Sequence, residues 1–144
     1  MKKSGILNRH LAGALALLGH TDQVMVCDAG LPIPDGPLVV DLAFRAGVPR
    51  FAEVLGGLLD ELVVEGATAA AEVRDRNPDA AALLDRLFPG DSRSPGPSGS
   101  PGSPGLELVA HEELKDRTRQ ARLVVRTGEV RPYANVLLRC GVPF

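Results

Sequence analysis

Residues 23–43 read QVMVCDAGLPIPDGPLVVDLA, and the order of residue types within them decides the fold. Gln23 to Ala29 is rich in β-branched and apolar residues and ends in turn formers, which predicts a short buried strand. The next eight residues, GLPIPDGP, contain three prolines. Proline fixes φ and has no N–H to donate, so helix and central strand are excluded and a stiff loop remains. LVVDLA then reads as a second strand. Unbroken apolar runs such as VMVC, where a half-exposed strand would alternate, belong to a sheet covered on both faces.

Upstream, Asn8 caps a helix whose apolar positions Leu7, Leu11, Leu15 and Leu18 follow three-to-four spacing, and Gly19 fits the left-handed position that closes it. His20 is then just beyond a helix C-terminus and Asp28 is at a strand's carboxyl end, where open α/β sheets gather ligand groups. Downstream, Phe51, Leu55, Leu58 and Leu62 again have helical spacing, with Gly56 and Gly57 between them. ATAAAEV fits strand or helix. RNPDAAALLDRLF predicts a helix with Asn77 as cap, Pro78 at its first position and Asp79 on the dipole. LELVAH reads as a strand, EELKDRTRQ as a short helix, ARLVVRTGE as a strand, VRPYAN as a turn and VLLRCGVPF as a last buried strand. This alternation predicts one α/β domain over residues 1–144, with three α/β/α layers around a mixed, largely buried sheet.

The composition agrees with a folded, water-soluble domain: 144 residues, 44% hydrophobic and 24% charged. A net charge of -2 provides no basic face, so neither nucleic acid nor an anionic membrane is expected as a partner. No apolar run approaches a bilayer span, and the first 22 residues carry a histidine and an asparagine where a signal peptide needs an unbroken apolar region. The expected location is the cytoplasm. There, Cys27 and Cys140, each inside an apolar run, read as two buried thiols, with a disulfide or metal pair as the lesser alternative. Gly90 to Gly105 is Gly, Ser and Pro except for Asp91 and Arg93, the composition of a mobile surface loop inserted in the domain.

Groups with chemical reach are His10, His20, Asp28, His111, Tyr133 and Asn135. A histidine by a helix end is commonly a solvated or capping residue, and His10, on the first turn of its helix, faces solvent. Asp28 closes a buried strand, where a carboxylate must be hydrogen-bonded or stand at the mouth of a site; an Asx turn into AGLP is the plainer reading. HEELK lacks the second histidine of a zinc-protease helix, and there is neither a glycine-rich phosphate loop nor a nucleophile elbow. Imidazole, carboxylate, phenol and amide remain, a set suited to holding a neutral polyhydroxylated molecule and moving its protons.

Five stretches carry a resemblance: MKKSGILNRHLAGALALLGHTD, VCDAGLPIP, GVPRF, RTGE and PYANVLLRCGVPF. Together they resemble the D-ribose pyranase family, within a wider group that includes the L-fucose mutarotases. The resemblance covers nearly the whole chain apart from the Gly/Ser/Pro segment. DAGLPIP and YAN are similar to the ribose branch, while the family's HEQF-like segment stands here as HEEL.

The resemblance implies a cofactor-free isomerase that interconverts the pyranose and furanose forms of D-ribose and delivers the furanose to a kinase. It implies His20 as proton donor, and Asp28, His111, Tyr133, Ala134 and Asn135 as substrate contacts. It also implies a cyclic homo-oligomer, commonly a decamer, with the pocket between neighbouring subunits, so that PYAN meets the His20 of the next chain. His20 and Asp28 are thereby expected on two sides of one pocket, with GLPIPDG as its wall. The competing expectations are a mutarotase for L-fucose or another monosaccharide, and a sugar-binding accessory protein without turnover.

Overall fold

The structure, a computed structural model, describes residues 1–90 and 103–144. Its elements are α1 (Arg9–Leu15), β1 (Gln23–Cys27), β2 (Leu38–Asp41), α2 (Phe51–Leu59), β3 (Val64–Ala70), α3 (Val73–Arg76), α4 (Pro78–Leu87), β4 (Leu106–Val109), α5 (His111–Thr118), β5 (Leu123–Arg126) and β6 (Val136–Cys140). The strands form one mixed sheet in the order β2-β5-β1-β6-β3-β4. β1 pairs in parallel with β5, β5 with β2 and β3 with β4, whereas β6 lies antiparallel to both β1 and β3. The carboxyl ends of the five like-directed strands therefore share one edge with the amino end of β6.

Alternation along the strands sorts the core into two layers. Val24, Val26, Val125, Val136 and Leu138 pack with α1, α2 and α4 on one face. Met25, Cys27, Val124 and Leu137 pack with Leu114 of α5 and Leu31 of the proline loop on the other. Helices thus flank a largely buried sheet, as the apolar runs require. The exception is β2: at the edge of the sheet, with Leu38 and Val39 51% and 43% exposed, it is not covered on both faces.

Local signals account for most boundaries. Asn8 accepts the N–H groups of His10 and Leu11 at 3.1 and 3.0 Å and so caps α1. Asn77 caps α4 by accepting the Ala80 N–H at 3.2 Å. The ambiguous ATAAAEV resolves mainly as strand, because Ala67 and Ala69 pair with β6 on one side and β4 on the other.

The first helix is shorter than expected. It ends at Leu15, and Gly19 is not its left-handed closure. Leu17 and Leu18 donate to Ala14 and Leu15, tightening the chain into turns that leave Leu17 exposed. Asp22 then takes the Gly19 N–H at 2.8 Å, and Thr21, at φ 69°, makes the left-handed step.

Most of the expected Gly/Ser/Pro loop lies outside the described residues. At its ends Gly90 donates to Pro104 at 3.2 Å, and Pro89 and Gly90 both bridge to Gly105. Cys27 and Cys140 are buried and free, as two separate thiols.

Candidate functional site

A cavity of about 420 Å³ opens where β1 and β4 end and β6 begins. Asp28, Gly30 and Pro32 line one side, His111 and Lys115 another, and Glu129, Pro132, Tyr133 and Asn135 a third. Strand register brings these distant residues together. Val26 opposes Val136 in the antiparallel β1–β6 pair, so the residues just beyond, Asp28 and Asn135, leave the sheet side by side.

Asp28 and Asn135 are both buried, and each satisfies the other. The Asp28 N–H donates to Asn135 Oδ1 at 2.9 Å, while Asn135 Nδ2 donates to Asp28 Oδ2 at 2.9 Å. Gly30 N–H donates to Asp28 Oδ1, also at 2.9 Å, giving the Asx turn and the cavity carboxylate in a single residue. Each carboxylate oxygen keeps acceptor capacity for a further donor. Arg126 fixes the following residue, donating twice to the Ala29 carbonyl at 2.9 and 3.2 Å while also reaching Asp41 at 3.0 Å.

His111 opens α5, whose cap residue Ala110 has no side chain to offer the exposed N–H groups. Glu72, from the β3–α3 connection, serves instead: its two carboxylate oxygens accept the His111 N–H at 3.1 and 3.2 Å. A bond from its own backbone N–H, and then the one from His111, hold the Glu72 carboxyl below its ordinary value. The His111 ring meets Tyr133 edge-on, with centroids 5.0 Å apart at 71°. His111 Nδ1 is buried without a hydrogen-bond partner among the described residues. Tyr133 sits at φ 62°, a left-handed conformation in a residue that is not glycine.

The segment between these walls is closely fitted. A Cβ on Gly128 would run into the carbonyls of Val48 and Arg45, so RTGE needs glycine there. The Phe44–Val48 hairpin rests on that glycine; Phe44, Val48 and the cavity residue Val130 are all exposed.

Matched against protein families, residues 1–143 fit the RbsD / FucU transport protein family. The chain belongs to this family. Among its RbsD / FucU relatives it is 72% identical over 144 residues to D-ribose pyranase 2 of Streptomyces griseus subsp. griseus, covering 100% of both chains. It is 44% identical to the D-ribose pyranase of Bacillus subtilis, again over 100% of both. A solved structure of Bacillus subtilis RbsD complexed with D-ribose superposes with a TM-score of 0.88, covering 100% of both chains at 44% identity. A fucose mutarotase from Streptococcus pneumoniae in complex with L-fucose shares the RbsD / FucU fold, with a TM-score of 0.73 at 21% identity over 96% of this chain and 95% of that one.

Of the residues singled out from the sequence of this RbsD / FucU chain, Asp28, His111, Tyr133 and Asn135 converge on the cavity. Ala134 lies between two of them but is 1% exposed and does not line it. His10 is exposed on α1.

His20 and Asp28 are not two sides of one pocket within a single chain. They stand at opposite ends of β1, whose five residues alone span roughly 15 Å at a strand's rise. His20 is instead 53% exposed, with Nε2 3.1 Å from Glu65 Oε2, and the other Glu65 oxygen forms an ion pair with Arg139 Nε at 2.9 Å.

Arg76, Lys115 and Glu129 line the cavity and were missed from the sequence. Lys115 was recoverable: it lies four residues after His111, on the same face of α5.

Proposed function

We propose that this chain is a D-ribose pyranase, an isomerase that interconverts the β-pyranose and β-furanose forms of D-ribose. The observation that carries the reading is the convergence of Asp28, His111, Tyr133 and Asn135, from three separate parts of the chain, on one cavity large enough for a monosaccharide. The 44%-identical relative solved with D-ribose supports ribose as the sugar.

Changing ring size requires the hemiacetal to open and close again. The anomeric hydroxyl gives up its proton while the ring oxygen receives one; the bond between that oxygen and the anomeric carbon breaks, leaving an open-chain aldehyde. Attack by the neighbouring hydroxyl then closes the other ring, with the proton movements reversed. General acid and base groups each accelerate such steps by about 10² to 10⁴. The reaction needs neither an electron sink nor a metal, so the proposed enzyme works without a cofactor.

In this reading Asp28 accepts sugar hydroxyls through an acceptor already fixed by Asn135 and Gly30. A sugar hydroxyl also satisfies His111 Nδ1, whose burial is otherwise uncompensated. Tyr133 and Asn135 hold the sugar from the β6 side, and Ala134 contributes through its backbone. His20 is the proton donor, and its place at the far end of β1 supports a donor that serves the cavity of an adjacent copy. Glu65 orients its imidazole there.

The resemblance to the family supports assembly of the chain into a ring-shaped homo-oligomer, read as a decamer, around shared sites. The exposed cavity residue Val130, with Phe44 and Val48 exposed on the hairpin that packs on Gly128, supports an apolar contact between copies. No helix among the described residues is long and apolar enough to cross a membrane. The proposed location is the cytoplasm, where the furanose product feeds a kinase.

Saturation-transfer NMR on D-ribose tests the activity directly. Protein should accelerate exchange between the β-pyranose and β-furanose signals; binding without acceleration would leave only a sugar-binding accessory protein.

A further inference from the structure

Asn77 does two jobs with different atoms. Its Oδ1 caps α4 by accepting the Ala80 N–H, and a cap requires only that oxygen. Its Nδ2 is committed 55 residues away, donating to the Pro132 carbonyl at 2.9 Å. Arg131 Nη2 adds a bond to Asn77 Oδ1 at 2.9 Å, and Arg131 Nη1 reaches Asp79 at 2.8 Å. The first turn of α4 thus grips the two residues immediately before Tyr133.

Tyr133 is where such a grip matters. Its φ of 62° is one that side chains other than glycine seldom adopt, and it persists only where the surroundings impose it. Its ring forms the edge contact with His111 across the cavity, so a relaxed backbone would move one wall of the site. Asn77 itself is 4% exposed and does not line the cavity.

We propose that Asn77 is a positioning residue for the sugar site: its Nδ2 bond to Pro132, itself in the cavity wall, fixes the turn that presents Tyr133, and it acts on ribose chiefly through Tyr133. This rests on the reading of Tyr133 as a sugar contact. Asn77→Asp retains the cap oxygen and the acceptor for Arg131 but sets an oxygen against the Pro132 carbonyl. Asn77→Ser retains a good cap and removes the tether together with the amide oxygen that Arg131 reaches.

The test measures exchange by saturation-transfer NMR across ribose concentrations, with Tm and oligomer size, for both variants, for Tyr133→Ala and for the double variant Asn77→Ser/Tyr133→Ala. Both Asn77 variants should keep the oligomer with a Tm lowered by only a few degrees, while the half-saturating ribose concentration, measured where every variant is fully folded, rises about tenfold. Tyr133→Ala should weaken ribose at least as much, and adding Asn77→Ser to it should cause no further loss, since one acts through the other.

Wild-type affinity in both Asn77 variants, with Tyr133→Ala weakened, would overturn the positioning role alone. Unchanged affinity in Tyr133→Ala would overturn the reading of Tyr133 and the inference with it. Affinity falling only in step with Tm, or additive losses in the double variant, would make Asn77 a structural cap and nothing more.

Discussion

Asp28 and Asn135, 107 residues apart in the chain, exchange two hydrogen bonds of 2.9 Å, backbone to amide oxygen one way and amide nitrogen to carboxylate the other. The antiparallel register of β1 and β6 sets the pair, so the sheet itself aims the carboxylate before any sugar arrives. A preorganised acceptor of this kind spends little of the sugar's binding energy on ordering the protein.

Replacing Asn135 with Ala leaves a buried N–H and a carboxylate oxygen unpartnered, which should destabilise the fold by about 1–3 kcal/mol in urea unfolding. Ribose affinity should fall with it. Asn135→Asp should do worse near neutral pH, because two carboxylates in hydrogen-bond contact oppose joint ionisation. A variant as stable as wild type would mean that the pair is incidental.

Cys27 provides a pH dependence. Burial, and then the neighbouring Asp28 carboxylate, push its thiol up to about 12 from 9.0. The folded chain therefore holds this proton more tightly than the unfolded chain. Stability from this group is complete below about 9 and is lost as pH rises through about 12. Urea midpoints measured across that window should fall less steeply for Cys27→Ala than for wild type; parallel curves would contradict the assignment.

Deleting Ser92 to Gly102 should leave ribose exchange within severalfold of wild type. Gly90 and Pro104 are already hydrogen-bonded, so Asp91 and Ser103 remain as a two-residue connection, the length of a tight hairpin loop. Size-exclusion chromatography of the deleted protein checks the assembly. Its dissociation would assign the segment to an interface.

The other strands were legible because β-branched and apolar runs bounded by Gly, Pro and Asp leave few alternatives, whereas the alanines of ATAAAEV fit strand or helix and only pairing with β4 and β6 decides for β3; Asn8 and Asn77 announced their helices for equally local reasons. The end of α1 was not legible. Gly19 offered the expected closure, but Asp22 claimed its N–H, and no local rule ranks that competition. Asp28 and Asn135 could be nominated singly, yet their pairing depends on strand register. The second duty of Asn77 depends on where the Pro132 turn docks, which only the assembled fold decides. Nearness in sequence misled most over His20 and Asp28, because the strand between them carries one away from the other.

That separation makes the shared site testable by mixing two damaged proteins. His20→Ala should keep the fold and lose about 10² to 10⁴ in exchange rate, as the loss of a general acid does. Asp28→Ala should be similarly impaired, with its cavity intact elsewhere. Co-expressed chains of the two variants, with mixed oligomers verified by native mass spectrometry, should regain ribose exchange, because about a quarter of randomly assembled sites combine an intact Asp28 with an intact His20 from a neighbour. Mixed oligomers as inactive as either parent, beside an active wild type prepared in the same way, would contradict the account.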